Sequence, residues 1–562
     1  MKRKKLNIYI IKKMSRAVIQ PFEEYQRARV IFVQTVAALA GGKDNRNVEL
    51  LKRLDAIRLL GPLLTDPVIS IKQYAALAIG TLAGADEEIA SQVVNDDNGH
   101  ILNLILKSLE TSNRFYKKTA CRLLGKLSKW KSLAAKVVSG GVITFLVSCL
   151  EDCDGEVKLF AASALQKICM NGEDLAREVI NAGAIEPLSL CLQEPDIKLK
   201  RQAVLTMSNI AKHSDSHTRR LCEEKETLGV ILHYLQTKDT MLRRQVLLCL
   251  SYIAQNSSDK AAQIINSLNN QLLEENIAGA TKANIYSIRS VTENPTRKAD
   301  PICQQNCLSL LYNIAKHGSG HTNQVSAKIK CETLIRFLET NQGPARNVGL
   351  QLISTLAQYS KEQAEQIKRL GGHKVLALCL YEQKPETISY TCNAINFMAS
   401  YPNPDITNGL VEDLPIGINE NVKYYNIPYR LLELSLNKNL PQYLVNNARD
   451  ALENIIKNNT NLDALIPLLD RPNYSGVDDA HYEKILCTIV KRIHDLLGDF
   501  KSYKRKLIEN KTLKKLIKLK STYKSLEEEL KSFSDFYSQE IMNYYSDEYE
   551  QKIREQVINN LS

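Results

Sequence analysis

The segment GVITFLVSCL at residues 141–150 returns as GAIEPLSLCL at 183–192, and EVKLFAASALQKI at 156–168 returns as KLKRQAVLTMSNI at 198–210. Both pairs are 42 residues apart. A helical unit of this size cannot bury its apolar face alone, whereas stacked copies share one continuous core. The repetition therefore predicts a chain of stacked helical repeats.

Two columns of apolar residues carry this period along the chain. As far as Leu235 and Ile253, both columns advance in steps of 45, 41, 42 and 43 residues. The column that closes each second helix is Leu64, Leu109, Leu150, Leu192, Leu235, Leu338 and Leu380. The column near the end of each third helix is Leu82, Leu127, Ile168, Ile210, Ile253, Ile314 and Leu356. A period of about 42 residues is typical of armadillo and HEAT repeats. We therefore predict an all-α fold, a right-handed superhelical solenoid of armadillo repeats with helical caps at both ends.

Each predicted repeat has a short first helix, a second helix entered through a glycine or another small residue, and a long third helix with an Ala-rich face. About nine such repeats are expected over residues 45–470. Asn113, Asp196 and Asp239 precede third helices and suit the N-cap position, because their side chains can accept from free backbone N–H groups.

The chain before the first repeat is expected to form a basic extension at residues 1–13 and a capping helix at residues 14–44. Met14 is interpreted as the usual start of the protein. Phe22, Tyr25, Ala28, Phe32 and Val36 fall on one face of the capping helix, which is the pattern of a helix with one buried side.

The period breaks at two places, which predicts loop insertions near residues 281–300 and 401–426. Insertions in a solenoid are usually exposed loops and often lie on a binding face. Lineage-specific drift of a surface loop is the alternative for both, and the sequence leaves the choice open.

Composition restricts the class of protein. The chain has 562 residues, is 44% hydrophobic and 24% charged, and carries a formal net charge of +12. The thirteen cysteines are scattered through apolar positions, as in a reducing compartment such as the cytoplasm. No run of 18 apolar residues is present, so a membrane is not an expected partner. The positive charge permits an acidic partner but does not identify one.

Motifs for catalysis or metal binding are absent from the sequence. It contains no GxxxxGK[ST], HExxH or GxSxG pattern. CLEDC at 149–153 and CQQNC at 303–307 lack a second cysteine pair for a zinc site, and HSDSH at 213–217 and HGSGH at 317–321 lack a third type of ligand. We therefore predict that the protein is not an enzyme and has no catalytic, cofactor or metal site.

The face of the third helices is the expected protein-binding surface. Armadillo adaptors of nuclear import clamp a basic peptide with a Trp and an Asn four residues later, and the Trp positions here hold Leu77, Arg122, Ser163, Leu205, Leu248, Ser309 and Gln351. That mode of binding is therefore not expected. Cations at the starts of third helices could instead form a positive ridge, or could be solvated helix ends. The candidate binding residues are Arg114, Lys117, Lys118, Lys158, Lys200, Arg201, Asn209, Arg243, Arg244 and Asn313.

Residues 471–562 are expected to form a C-terminal helical cap. A basic segment at 501–525 is followed by an acidic, Tyr-rich segment at 526–550. This cap is either a helical end with solvated charges or a contact for an acidic surface and for a neighbouring copy, which keeps self-association as a hypothesis. The candidate contact residues are Lys504, Arg505, Lys506, Lys514, Lys515, Tyr544, Tyr545 and Tyr549.

Several longer segments carry a resemblance to a known family. They are NRFYKKTACRLLGKLSK (113–129), CLEDCDGEVKLFAASAL (149–165), CLQEPDIKLKRQAVLTMSNIAKHS (191–214), FEEYQRARVIFVQTVAALA (22–40) and EIMNYYSDEY (540–549). They resemble, in the same order along the chain and from about residue 14 to residue 549, the armadillo-repeat proteins of the ciliary central apparatus, the sperm-associated-antigen type. The chain departs from that pattern in its first 13 residues, in the two insertions and in several positions after residue 266.

This resemblance implies a structural scaffold rather than an enzyme. Such proteins associate with the C1 microtubule of the axonemal central pair and are needed for central-pair stability and flagellar motility. The implied partners are central-apparatus proteins and tubulin, with no nucleic acid and no membrane, and the implied location is the cytoplasm and cytoskeleton, in the axoneme of a cilium or flagellum. The alternative is a cytoplasmic armadillo adaptor that binds extended peptides in its concave groove.

Overall fold

The computed structural model describes residues 2–42, 45–95, 100–109, 113–270, 273, 276–277, 300–412, 414–416, 423–474 and 476–545. They fall into two compact units, residues 1–264 and residues 265–562. Helices in a recurring order of two short and one long make up both units. The long helix of each triad packs against the long helices of the triads before and after it within its unit. The predicted all-α solenoid architecture is therefore confirmed.

The first unit begins with one long helix, α1 (Lys2–Ala40), and continues with five described triads. Their first helices are α2 (Asn45–Arg53), α5 (Glu87–Asn95), α8 (Lys131–Ser139), α11 (Glu173–Asn181) and α14 (Asp215–Glu223). Their second helices are α3 (Ala56–Leu60), α6 (His100–Leu109), α9 (Val142–Cys149), α12 (Ile185–Gln193) and α15 (Thr227–His233). Their third helices are α4 (Ile69–Ala85), α7 (Arg114–Leu127), α10 (Gly155–Met170), α13 (Ile197–Ala211) and α16 (Thr240–Asn256), and α17 (Ser258–Ser267) follows.

The second unit has the same organisation. Its helices, in chain order, begin with α18 (Pro301–Ala315), α19 (Ser319–Lys328), α20 (Cys331–Thr340), α21 (Pro344–Tyr359), α22 (Lys361–Arg369), α23 (Gly372–Leu380), α24 (Pro385–Ala399) and α25 (Pro404–Val411). Then come α26 (Ile427–Leu436), α27 (Gln442–Asn458), α28 (Leu462–Leu465), α29 (Asp479–Asp499), α30 (Lys501–Glu509), α31 (Thr512–Thr522), α32 (Leu526–Lys531) and α33 (Gln539–Tyr544).

Small residues let the third helices approach one another closely. A Cβ atom on Gly125 of α7 would come within 3.3 Å of the Cα atom of Ala164 on α10. Ala120 of α7 and Ala161 of α10 are also buried. Because these positions carry little side-chain volume, the apolar columns on either side interlock into a close-packed core. The predicted N-caps are also confirmed, since the side chains of Asn113, Asp196 and Asp239 accept backbone N–H groups of α7, α13 and α16.

A left-handed residue turns the chain into the second helix. Gly141 and Gly183 have φ angles of 80° and 77° at this corner. In other triads the corner is formed by Asp55, Glu226 and Lys511, with φ angles of 51°, 56° and 57°. The Lys511 corner shows that the order of a long helix, a short helix and a second short helix continues through α29, α30 and α31. The described part of residues 471–562 is thus helical and keeps the repeat order; the boundary at 470 stays a prediction.

Helix α1 buries a different face from the predicted one. Val33, Val36 and Ala37 are buried, whereas Phe22 and Tyr25 are 60% and 58% exposed. The prediction that the aromatic residues form the buried side was therefore wrong, with Val36 the correct member of that stripe. The main packing partner of α1 is α4, and the buried residues of α1 lie toward its C-terminal end. The helix also joins the predicted extension and the predicted cap into one element.

The two predicted insertions have different outcomes. Residues 281–299 lie outside the described residues. In the segment 401–426, residues 404–411 are a regular first helix, α25, so the surplus is confined to residues 412–426. This surplus contains a short antiparallel hairpin, β1 (Leu414–Ile416) with β2 (Lys423–Tyr425), in which Ile416 pairs with Lys423. The purely helical prediction did not include this hairpin.

Candidate protein-binding surface

Most cations predicted to form a positive ridge are paired with acids of the following repeat. Lys117 Nζ lies 2.9 Å from Asp152 Oδ2, and Lys158 Nζ lies 2.6 Å from Glu194 Oε1. Lys118 pairs in the same way with Glu156. Each acid lies either in the turn between the second and third helices of the next repeat or in the first turn of that third helix. The starts of the third helices are therefore joined from one repeat to the next by ion pairs.

The pair of Arg201 and Asp239 has the most complete geometry. Arg201 Nε donates to Asp239 Oδ1 at 3.0 Å and Arg201 Nη2 donates to Oδ2 at 2.5 Å. The hydrogen bond with Arg201 lowers the pKa of Asp239, and the one with Asp239 raises the pKa of Arg201. Asp239 Oδ1 also accepts the backbone N–H of Leu242 in the first turn of α16. One carboxylate thus caps a helix and links two repeats.

The remaining cations at the helix starts have different partners. Lys200 Nζ lies 4.9 Å from the centre of the Tyr234 ring, whose hydroxyl donates to the Leu192 carbonyl oxygen at 2.5 Å. Arg243 donates to the carbonyl oxygen of Thr237. Arg114 is exposed, with its guanidinium 4.9 Å from the centre of the Phe115 ring, and its Nε also lies 4.0 Å from Asp154 Oδ2 of the next repeat. Arg244 donates to Met241 Sδ at 3.2 Å.

The two candidate asparagines lie on third helices but face different surroundings. Asn209 Nδ2 donates to the carbonyl oxygen of Leu205 within its own helix at 2.8 Å. Asn313 is only 8% exposed. A role for any of the ten candidates in protein binding stays a prediction.

A second group of cations, which the sequence patterns did not indicate, lies in the C-terminal halves of two third helices and just after one of them. Arg122, Lys126 and Lys129 lie on or just after α7, and Lys167 lies on α10. Burial, followed by repulsion from Lys126, Lys129 and Arg122, lowers the pKa of Lys167. The available signal was the position of Lys126 and Lys167, which are 41 residues apart in the same column.

In the C-terminal region, three of the predicted contact residues form ion pairs. Lys506 Nζ lies 2.5 Å from Asp463 Oδ2, Lys515 Nζ lies 2.7 Å from Asp470 Oδ1, and Arg505 Nε lies 2.7 Å from Glu509 Oε1. Lys504 Nζ lies 4.5 Å from the centre of the Phe536 ring, and Lys514 is half-buried on α31.

The tyrosines at the C-terminal end form a small aromatic contact. The Tyr544 and Tyr545 rings lie 5.0 Å apart in an edge-to-face arrangement, and Tyr544 is exposed. Tyr549 lies outside the described residues. Contact of these residues with tubulin or a neighbouring copy stays a prediction.

Several members of the histidine and cysteine pairs take part in packing, whereas Cys153 is exposed. His213 Nε2 hydrogen-bonds to the carbonyl oxygen of Cys169 in the preceding repeat, at 2.6 Å. Cys149, Cys303 and Cys307 are buried. Among the described residues, no group of three or more His, Cys, Asp or Glu side chains could hold a metal ion.

No single helix in the described part of the chain is long and apolar enough to cross a membrane. One bent pair, Lys131–Ser139 with Val142–Cys149, meets the length and composition requirement. Its apolar residues, including Leu133, Val137 and Leu146, are buried in the repeat core.

Comparison with known proteins gives one family match and two groups of similar proteins. The model of the armadillo/beta-catenin-like repeat matches residues 172–212, which contain the triad α11 to α13. A crystal structure of an engineered protein is similar to 78% of this chain and 98% of its own, with a TM-score of 0.62 and 18% sequence identity. Because the identity is low, this likeness shows the fold alone.

Two curated relatives match part of the sequence. Sperm-associated antigen 6 of Mus musculus is 48% identical over 105 residues, and sperm-associated antigen 6 of Homo sapiens is 47% identical over 105 residues. Each match covers 19% of this chain and 20% of the relative. The chain thus spans about a fifth of the length of the curated relatives it matches. Armadillo repeats together with these relatives support a protein-binding scaffold.

Proposed function

We propose that this armadillo-repeat chain is a non-enzymatic scaffold of the axonemal central apparatus, associated with the C1 microtubule and needed for central-pair stability and flagellar motility. The observation that carries the proposal is the 48% identity to a sperm-associated antigen over 105 residues. The segments quoted above, such as NRFYKK at 113–118, resemble the same family outside general armadillo patterning. The proposed partners are tubulin and central-apparatus proteins.

The physical properties of the repeats suit such a role. Stacked repeats present a long surface in which each repeat contacts only its neighbours, so binding sites can be distributed along the chain. Many modest contacts made at once give strong overall attachment, because the second and later contacts form at high effective concentration. A scaffold on a microtubule needs this kind of distributed attachment.

A lysine-rich cleft on α31 supports the choice of an acidic surface as partner. Lys511, Lys514, Lys515 and Lys518 line an open cleft of about 330 Å³. Lys511 and Lys518 are exposed. Such a face attracts an acidic surface more strongly at low ionic strength, because salt screens exposed charges beyond about 10 Å at 0.1 M.

The test is the resistance of the protein to extraction. A tagged chain is expressed in a flagellated cell, membranes and soluble matrix are removed with detergent, and the axonemes are washed with rising salt. A scaffold remains with the axonemes after detergent and is released only at high salt. A protein that leaves with the detergent-soluble fraction would instead favour the cytoplasmic peptide-binding adaptor.

A further inference from the structure

Four cations of the first unit form a group without acidic partners, here called the basic cluster: Arg122, Lys126, Lys129 and Lys167. None of them forms an ion pair with a carboxylate in the described part of the chain. Lys126 and Lys167 are half-buried, and Arg122 and Lys129 are exposed. The cluster lies where the C-terminal ends of α7 and α10 approach each other through Gly125 and Ala164.

Contacts with the protein hold these side chains in place. Lys129 Nζ donates to the Gly84 carbonyl oxygen at 3.2 Å and lies 4.5 Å from the centre of the Trp130 ring. The Lys126 stem passes Gly84 so closely that a Cβ atom there would come within 2.6 Å of Lys126 Cδ. Lys126 therefore has a path across the face of α4 that only a glycine leaves open.

Mutual repulsion within the cluster is not compensated. Burial lowers the pKa of Lys167 most, and repulsion from Lys126, Lys129 and Arg122 lowers it further, with no described carboxylate acting against them. The helix starts of the same repeats are arranged in the opposite way, since Lys117 and Lys158 each have an acid of the next repeat within 3 Å. A bound anionic group would relieve the repulsion, because an opposite charge nearby favours the protonated form of a lysine.

We propose that the basic cluster binds an acidic, extended segment of a partner protein. The cations project from successive third helices, which pack about 8–10 Å apart. An extended chain in the polyproline II conformation has three residues per turn and a rise of about 3.1 Å per residue, so every third side chain lies on one face about 9 Å along. Acids at that spacing can meet Lys126 and Lys167 in turn. Beside them lies a shallow depression between α4 and α7, which is lined by Leu77 and Thr81.

A peptide fits this face better than a single-stranded nucleic acid. Binders of single strands add aromatic side chains on which the bases stack. Here cations already lie against both nearby rings: Lys118 Nζ and Arg122 Cζ are 5.9 Å and 5.7 Å from the centre of the Phe160 ring, and Lys129 Nζ is 4.5 Å from the centre of the Trp130 ring. The inference concerns what the first unit binds, and it stands whether or not the protein acts in an axoneme.

The test uses the full chain and a fluorescein-labelled deca-glutamate peptide, with binding measured by fluorescence anisotropy near 0.1 M salt. Wild-type protein should bind this peptide, and should bind a Gly-Ser decapeptide more weakly. Lys126→Gln with Lys167→Gln should weaken deca-glutamate binding by about tenfold or more, because two charge-assisted contacts are lost. Glutamine keeps most of the side-chain length, and circular dichroism checks that the variant is folded.

A matched control removes the same charge elsewhere in the first unit. Lys107→Gln with Lys198→Gln changes two exposed lysines outside the cluster and should leave the affinity within about twofold. Charge reversal, Lys126→Glu with Lys167→Glu, should turn the preference toward deca-lysine. Equal binding by the glutamine variant and wild type, or an equal loss in the control, would overturn the proposal. A labelled ten-nucleotide single-stranded DNA that binds more tightly than deca-glutamate and depends on the same lysines would also overturn it.

Discussion

At the residue scale, side chains of different types make the same hydrogen bond, to a carbonyl of the preceding repeat, in successive repeats. Trp130 Nε1 donates to the carbonyl oxygen of Ala83 at 2.8 Å, and Asn171 Nδ2 donates to that of Ser128 at 2.7 Å. His213 and Asn256 do the same with Cys169 and Ala211. Each bond satisfies a carbonyl at the end of the preceding third helix, which otherwise lacks an intrahelical partner.

The first residue-scale prediction concerns Asp239, which caps α16 and pairs with Arg201. Asp239→Ala removes both interactions and should lower local stability by about 2 kcal/mol, whereas Asp239→Asn keeps a good cap and should cost about 0.5–1 kcal/mol. Hydrogen exchange of the amides in the first turn of α16 measures the local free energy without assuming two-state unfolding. Equal losses in the two variants would show that the cap contributes nothing.

The lowered pKa of Asp239 also leads us to expect that the local stability of α16 depends on pH. The hydrogen bond with Arg201 lowers the pKa of Asp239 in the folded protein. Its contribution is therefore complete above the unfolded pKa, which is about 3.9, and is lost as the pH falls through the lower folded value. The difference in hydrogen exchange between wild type and Asp239→Asn should be constant from pH 7 to about pH 5 and shrink below pH 4. A difference that grows on acidification would contradict this.

The second residue-scale prediction concerns the left-handed corners. Glu226 has a φ of 56°, a conformation that costs an ordinary residue about 1–2 kcal/mol and costs glycine little. Glu226→Gly should therefore raise the melting temperature of the first unit by about 1–3 °C. Glu223→Gly is the matched control, because Glu223 ends α14 with a φ of −79°; there a glycine should lower the melting temperature. Scanning calorimetry measures both, and a fall for Glu226→Gly would refute the interpretation of the corner.

At the element scale, burial and aromatic character separate along α1. Val36 is buried and Phe22 is largely exposed on the same helix. Val36→Ala should lower the stability of the α1–α4 contact by about 2 kcal/mol. Phe22→Ala should change it by less than about 0.5 kcal/mol. Hydrogen exchange along α1 and α4 compares the two, and a larger cost for Phe22→Ala would mean that the predicted aromatic face is the packed one.

The elements also show where sequence reasoning stops. Periodicity predicted that 401–426 held surplus residues, but α25 occupies positions 404–411 and the surplus forms a hairpin whose Tyr425 ring lies 4.7 Å from that of Tyr381. A break in the period gives the number of extra residues but not their structure. Helix α25 has only 8 residues, which is too short for a clear helical periodicity in the sequence. Likewise, a helical face in the sequence does not say whether a neighbour covers it, which is why Phe22 was misplaced.

At the scale of the whole molecule, the repeat order was predictable because the apolar columns have one register. The pairing of the cations was not predictable, since Lys117 and Lys126 look alike in the sequence and only the position of Asp152 across the repeat boundary separates them. The hydrogen bonds of Trp130, Asn171 and His213 to the preceding repeat were not predicted for a related reason. These three residues occupy equivalent positions in successive repeats but share no residue type. Interactions between neighbouring repeats can therefore be identified only from the structure.

The central claim is that this repeat chain belongs to the axonemal central apparatus. The most direct measurement is the amount of tagged protein in detergent-extracted axonemes from cells with a central pair and from mutants lacking it, compared with an outer-doublet protein as an internal standard. A scaffold of the central apparatus should give signal along the central pair in the first cells and lose it in the second. Equal signal in both, or none in either, would contradict it.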